Sequence, residues 1–244
     1  MKSSPPSVRL VLAVLFLASL SLPASSVAQE HIDTAYEWIN HGRRLNVFGG
    51  HMATGRGILE IGPGSSSIFG LRFRTRVSSP LSLEIGFGLG NPDRFVIDPR
   101  LDDGPAAVDT VDASWLLIEA GFQIALTGSR TLHELQPYVM LTAGILKGRG
   151  EVVSDSMQSV EDVPFRYNIG TASVFTVGFG IEWIPTDKIG LGVELRDHLW
   201  RIKTPDGFFN LLVLQNIAEL DLDAPKESEW THNIELSASL SYYF

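Results

Sequence analysis

Apolar and polar residues alternate with a period of two along several stretches of the chain. The clearest stretch covers residues 234–244, where every second residue, from Ile234 to Phe244, is apolar or aromatic. Successive side chains of a β-strand point to opposite faces of its sheet. Each stretch of this kind therefore predicts a strand with one apolar face and one face of polar or small residues.

The pattern predicts eight strands in all. They cover residues 45–53, 69–74, 81–89, 116–126, 138–146, 175–183, 189–196 and 234–244. A soluble β-sandwich would alternate in the same way, with its apolar faces packed together and its charges in water. An eight-stranded barrel in a membrane would instead turn its apolar faces to lipid and its charges inward. Periodicity alone leaves both architectures open.

The connections between the predicted strands alternate in length. Residues 78–80, 127–136 and 184–188 are the shorter connections, whereas residues 54–67, 90–112, 147–171 and 200–232 are longer. Transmembrane barrels have short periplasmic turns and long outer loops, and a soluble sandwich has no reason to show this rhythm. With the export signal described next, the loop rhythm predicts an all-β fold: an eight-stranded antiparallel transmembrane β-barrel over residues 45–244.

The amino-terminal residues predict an export signal. Two basic residues precede the apolar run 10–20, which is too short to span a bilayer, and small residues lie at positions 26 and 28. This arrangement is typical of a cleavable secretory signal. We expect residues 1–28 to be the signal peptide and residues 29–44 a periplasmic lead-in. Within the lead-in, residues 33–41 are either a short amphipathic helix or a disordered segment.

Seven charged residues lie on the polar faces of the predicted strands. They are Arg72, Arg74, Glu84, Glu119, Glu194, Arg196 and Glu235. The interior of an eight-stranded barrel is only wide enough for side chains to fill it, and unpaired charges there would be costly. We therefore predict an ion-pair network in the lumen, which either plugs a pore or is structural with no gating role.

Composition excludes several classes of function. The chain has no cysteine, which excludes disulfides, thiol catalysis and cysteine-ligated metals. Its net charge of −9 argues against nucleic acid as a partner, since phosphate contacts need clustered basic residues. We predict no cofactor and no metal site. The acidic outer loops match no calcium-loop spacing, although carboxylates there could hold divalent cations that bridge to lipopolysaccharide phosphates.

The eight alternating segments resemble those of the small eight-stranded outer-membrane β-barrel proteins of Gram-negative bacteria. They are similar to the transmembrane domain of outer membrane protein A. The resemblance covers residues 45–244. In this family the last strand carries an insertion signal read by the barrel-assembly machinery, and Leu240, Tyr242 and Phe244 match it. The resemblance implies a place in the cell outer membrane, with outer-membrane lipid and lipopolysaccharide as partners. Outer membrane protein A also carries a peptidoglycan-binding domain, whose anchoring role we do not expect here.

The function expected from this resemblance is non-enzymatic, either structural or in surface interaction, with a lumen plugged by side chains. The alternative is a narrow pore for small solutes. A third class, a lipid-modifying enzyme, would need a His, a Ser and an acid on the lipid-facing side. His198 and His232 lack the His-x-Ser pair of lipid A deacylases, and the alternation places the acids inside. We expect His198 to form hydrogen bonds in the interior.

The fourth outer loop contains a long apolar run at residues 208–217. Such a run is not expected to stand free in water. It could fold over the mouth of the barrel, contact a surface partner, or form a further hairpin that would raise the strand count to ten. We favour a cap or a contact patch.

Overall fold

The computed structural model describes residues 35–98, 106–151, 167, 169–219 and 223–244. The predicted signal peptide and residues 29–34 of the predicted lead-in lie outside these residues. The described part contains eleven strands: β1 (Tyr36–Trp38), β2 (Arg43–Thr54), β3 (Ser66–Arg76), β4 (Leu81–Gly90), β5 (Asp93–Asp98), β6 (Ala106–Ala125), β7 (Arg130–Leu132), β8 (Leu135–Glu151), β9 (Thr171–Thr186), β10 (Ile189–Lys203) and β11 (Ser228–Tyr243).

Eight of these strands form a closed antiparallel barrel in the order β2, β3, β4, β6, β8, β9, β10 and β11. Closure is achieved by β11, which pairs with β2 from Asn233↔Thr54 to Tyr243↔Arg44. The predicted fold class and the predicted number of barrel strands are confirmed. A closed barrel leaves no unpaired strand edge along its main body.

The two ends of the barrel differ in the length of their connections. One end, which we call the turn end, holds the short links such as the one between β9 and β10 and that between β3 and β4. The opposite end, the loop end, holds the four long connections. The predicted rhythm of short and long connections is confirmed. Several strands run further toward the loop end than predicted, and β10 continues to Lys203.

Large apolar side chains cover the outward face of the barrel. They include Val47, Phe69, Leu71, Ile85, Phe87, Phe122, Leu141, Phe175, Val177, Phe179, Val193, Leu236 and Leu240, all exposed. The aromatic residues Trp183, Tyr242 and Phe244 lie toward the turn end and are also exposed. The outside of the molecule is therefore apolar, which inverts the usual surface of a water-soluble protein.

Two segments differ from what the sequence pattern offered. Tyr36–Trp38 is not helical: it forms strand β1, which pairs with β7 at the turn end. The apolar run of the fourth outer loop forms a 3-10 turn at Asp206–Phe209 and a helix, α1 (Leu211–Glu219), instead of a hairpin. The barrel therefore has eight strands and not ten. No helix in the described residues is long and apolar enough to cross a membrane.

Candidate functional site

The lumen is the candidate functional site, and its middle is an ion-pair network. Arg72, on β3, donates to Glu194 and to Glu235, each at 2.7 Å. These acceptors lie on β10 and β11, so the bonds cross the interior of the barrel. Arg72 also lies over Phe48, with the guanidinium carbon 3.4 Å from the ring centroid. Such stacking stabilises a cation that has been removed from water.

The other two arginines of the network, Arg74 and Arg196, each bond more than one glutamate. Arg74 bonds both Glu84, its cross-strand neighbour, and Glu194. Arg196 donates to Glu84 and to Glu119, each at 2.7 Å, and to Glu194 at 2.9 Å. All seven residues singled out by the alternation are thus brought into one network, and every one of them is buried.

Glu194 is the most connected member of this network. Its two carboxylate oxygens accept hydrogen bonds from Arg72, Arg74 and Arg196. The Tyr138 hydroxyl donates a further bond at 2.6 Å. Because a buried carboxylate needs its lone pairs satisfied, the position of Glu194 depends on four side chains, which come from β3, β8 and β10 itself.

His198 joins the network through both nitrogens of its ring. Nδ1 lies 2.8 Å from the Thr176 hydroxyl, which also donates to Glu119 at 3.1 Å. On the other side of the ring, Nε2 lies 3.0 Å from Oε2 of Glu235. The ring therefore links Thr176 on β9 to Glu235 on β11 inside the barrel.

A second polar cluster lies at the turn end, and the sequence reasoning missed it. Arg44 bonds Glu182, donates to the Tyr243 hydroxyl at 2.8 Å and donates to Gln123 at 2.6 Å. Glu182 also accepts from Ser241. The predicted boundary of the barrel at residue 45 leaves Arg44 in the lead-in. It shares the inward phase of Asn46 and Phe48 on β2, which is the signal that could have placed it in the lumen.

The loop-end half of the lumen is apolar, which the sequence reasoning also missed. Wall residues, including Phe48, Met52, Ile68, Trp115, Leu146 and Trp200, form one buried cluster with Ile61, Ile97, Tyr167 and Phe208 from the loop end. Residues 115–118 of β6 carry a signal for this apolar half, because all four are apolar and the alternation is lost. A strand with apolar surroundings on both faces shows such a continuous run. Phe208 is fully buried here, so the apolar run of the fourth loop caps the barrel mouth.

Glycines on the inner face make room for this filling. A Cβ at Gly90 would lie 2.3 Å from Cζ2 of Trp115, and one at Gly86 would lie 3.3 Å from Cγ of Glu119. A side chain at Gly90 would collide with a ring that is itself fully buried. The glycine pattern of β4 thus serves packing of the lumen, as its position inside a strand indicates.

Comparison with known proteins shows the fold. No protein-family model and no curated protein matches the sequence. Among solved structures, Neisserial surface protein A matches with a TM-score of 0.50 and 13% identity, over 83% of this chain and 97% of that one. OprG from Pseudomonas aeruginosa matches with a TM-score of 0.49 and 13% identity, over 84% of this chain and 96% of that one. Ail of Yersinia pestis, in complex with the heparin analogue sucrose octasulfate, matches with a TM-score of 0.42 and 11% identity, over 82% of this chain and 99% of that one.

The chain has the fold of the small eight-stranded outer-membrane β-barrels. The closed barrel and the likeness to Neisserial surface protein A carry this assignment. At this identity the likeness extends to the fold alone. What the barrel does has to be argued from its own side chains.

One feature of the outward face of this outer-membrane barrel fold corrects the sequence reasoning. The alternation predicts that the acids lie inside, yet Asp197 contacts His232 on the outward side, with 2.7 Å between Oδ2 and Nδ1. A catalytic arrangement would also need a nucleophile. In the part of the chain that the structure describes, no hydroxyl hydrogen-bonds His232, and no group of three or more His, Asp or Glu is placed to hold a metal ion.

Proposed function

We propose that this protein is an integral, non-enzymatic protein of the bacterial outer membrane, whose barrel is closed to solutes and whose loop end faces the cell exterior. The observation that carries the proposal is the network that fills the lumen. Three arginines and four glutamates, all buried, bond one another from β3, β4, β6, β10 and β11.

The outward surface supports the membrane part of this proposal. In hydrocarbon every backbone polar group must find a partner within the protein, which a closed barrel provides. The exposed apolar residues on that surface would be costly in water and favourable in lipid. Trp183, Tyr242 and Phe244 mark the turn end as one edge of the apolar band, since aromatic residues favour the membrane interface.

The last strand supports recognition by the barrel-assembly machinery. Leu240 and Tyr242 project from the outward face of β11, Phe244 follows its last residue, and all three are exposed. Outward apolar side chains on this strand are accessible to a partner before the barrel enters lipid. Tyr242 and Phe244 also stack on each other, with centroids 6.2 Å apart.

Three clusters of side chains, one above another along the barrel axis, support a closed lumen. The Arg44 cluster lies at the turn end, the ion-pair network lies in the middle, and the apolar cluster under Phe208 lies at the loop end. An ion entering this interior would have to separate buried ion pairs, which are costly to break because they leave charges uncompensated. A narrow pore, the alternative function, would require these pairs to part.

Single-channel recording in planar bilayers tests the closed lumen. We expect the wild-type protein to show no discrete conductance steps. Glu84→Ala removes a shared partner of Arg74 and Arg196, so we expect it to open brief conductance steps carried by anions. Glu219→Ala, which removes an exposed glutamate of α1, is the matched control and should stay silent.

Folding of each variant is checked by the difference in gel mobility between unheated and boiled samples. Conductance steps in the wild-type protein would overturn the closed lumen and favour the pore. A folded Glu84→Ala protein as silent as the control would show that the network does not close the barrel.

A further inference from the structure

The barrel wall parts between β9 and β10 at the loop end. The ladder between these strands ends at Trp200↔Val174. Beyond it, β10 continues to Lys203 but pairs only with β11, and residues 171–173 of β9 pair only with β8. Had the ladder continued, Ser173 would face Arg201 and Thr171 would face Lys203. The two strands instead diverge and leave a gap in the wall.

A pocket of about 250 Å³ occupies this gap. Its lining includes two cations, Arg201 and Lys203, three hydroxyl groups, of Thr171, Ser173 and Ser228, and the ring of Trp230. Trp230 lies opposite Arg201 in the ladder, and the guanidinium carbon is 5.5 Å from the centroid of the indole. Trp230 also packs against Phe175, with the ring centroids 6.2 Å apart, and about half of its surface remains exposed.

The cations of this pocket have no anionic partner within the described residues. Arg201 and Lys203 are exposed, and neither forms an ion pair there. Two such cations side by side are unusual in this chain, because the chain as a whole is acidic, with a net charge of −9. Two neighbouring cations beside hydroxyl groups and an aromatic face suit an anionic sugar: the guanidinium and ammonium bind phosphate oxygens, and the ring packs against the sugar.

The height of the pocket on the wall indicates which anionic sugar would meet it. A transmembrane strand needs about 9–11 residues to cross the hydrocarbon. Counted from Ile189 at the turn end, that length of β10 ends near Leu199, and Arg201 lies two residues further along the strand. Trp230 occupies the same level on β11, and Trp is enriched where the hydrocarbon meets the headgroups. The pocket thus opens outward at the headgroups of the leaflet on the loop side.

We propose that this pocket binds the phosphorylated glucosamine headgroup of an outer-leaflet glycolipid, the lipid A part of lipopolysaccharide. The inference rests on the proposed outer-membrane placement with the loop end outside. Arg201 and Lys203 bind a phosphate, Trp230 packs against the adjoining sugar ring, and the acyl chains follow the apolar outward face of β9 and β10 toward the turn end.

Native mass spectrometry of the purified barrel in detergent, titrated with bis-phosphorylated lipid A in the presence of EDTA, tests this binding. EDTA removes divalent cations, so carboxylates cannot bridge to phosphate. The test variant is the double substitution Arg201→Ala with Lys203→Ala. The matched control, Arg43→Ala with Lys188→Ala, removes two exposed cations at the turn end.

We expect the wild-type and control proteins to bind one lipid A with equal affinity, and the double variant at Arg201 and Lys203 to bind at least about tenfold more weakly, since two charge-assisted contacts are lost. Dephosphorylated lipid A should bind the wild-type protein as weakly as lipid A binds that variant. Equal lipid A affinity in the two double variants would overturn the proposal. Displacement of lipid A by millimolar inorganic phosphate would identify a site for free anions and would overturn the lipid assignment.

Flotation with lipid vesicles separates this inference from the one on which it rests. A wild-type barrel that fails to float with vesicles would contradict the membrane placement itself. A barrel that floats and shows heat-modifiable mobility, but whose lipid A binding ignores Arg201 and Lys203, would contradict the headgroup site alone.

Discussion

At the scale of the residue, Glu194 holds the lumen together. It accepts hydrogen bonds from Arg72, Arg74 and Arg196, whereas Glu84 bonds two arginines and Glu235 bonds one arginine and a histidine. Removing one partner of a buried ion pair leaves a charge uncompensated in a poorly solvated place. The cost of losing a charge should therefore scale with the number of partners left behind.

The first prediction concerns Glu194→Gln. We expect this change to lower the free energy of unfolding by about 3–5 kcal/mol, because three arginines lose their shared anion while the size of the side chain is kept. Urea titration of the protein in lipid vesicles measures it. Glu219→Gln on the exposed side of α1 should change stability by less than about 0.5 kcal/mol. A loss no larger than that of this control would show that the network contributes little.

The second prediction concerns the hydrogen bonds of His198. Its ring lies between the Thr176 hydroxyl and Glu235, and it is fully buried. We expect His198→Ala to lower the free energy of unfolding by about 1–3 kcal/mol, because buried polar groups lose their partner. His232→Ala, which changes an exposed histidine, is the control and should cost less than about 0.5 kcal/mol in the same urea titration. Equal losses in the two variants would show that the His198 contacts contribute little.

At the scale of the element, the loop end of the barrel is packed like a soluble core. Phe208, at the 3-10 turn before α1, is fully buried among Trp115, Trp200 and other wall residues. Val213 and Ile217 on α1 are buried too, whereas Gln215 is exposed. The apolar run is thus an internal plug over the mouth, and its burial accounts for its composition without any partner.

The third prediction follows from this packing. Phe208→Ala should lower the free energy of unfolding by about 3–5 kcal/mol, since a large ring leaves a fully packed site. Tryptophan fluorescence should shift to longer wavelength as water reaches Trp115 and Trp200. Gln215→Ala is the control on the same segment and should leave both readouts unchanged. An unshifted spectrum in the Phe208 variant would show that the cap does not seal the cluster.

At the scale of the whole molecule, the two ends of the barrel must face different compartments if the protein spans the outer membrane. The proposal places the loop end at the cell exterior and the turn end in the periplasm. The chain has no cysteine, so single cysteines can report the side of the membrane on which each end lies. Suitable exposed positions are Ala218 on α1 and Asp187 between β9 and β10.

The fourth prediction is the pattern of labelling of intact cells by a membrane-impermeant maleimide. We expect Ala218→Cys to be labelled in intact cells and Asp187→Cys to be labelled only after the outer membrane is permeabilised. The wild-type protein provides the unlabelled control. The reverse pattern would invert the orientation, and labelling of neither position in intact cells would contradict the outer-membrane placement.

The sequence by itself determined the eight strands of the barrel and which residues share a face. Alternation with a period of two is a local property, so the placement of Leu236 and Glu235 on opposite faces follows from position along one strand. The lengths of the connections predicted which end carries the loops. The same phase argument gathered the seven lumen charges, because residues on one face of a closed sheet must share one interior.

Only the tertiary structure decided what fills the interior along its length, and how. Arg44 and Glu182 bond across the lumen from strands far apart in the chain, and Phe208 reaches the core from a loop, so no local period predicts either contact. The parting of β9 from β10, which brings Arg201 and Lys203 to one pocket, likewise depends on where a ladder stops. Partners in space are set by closure of the barrel, whereas periodicity is set by the geometry of a single strand.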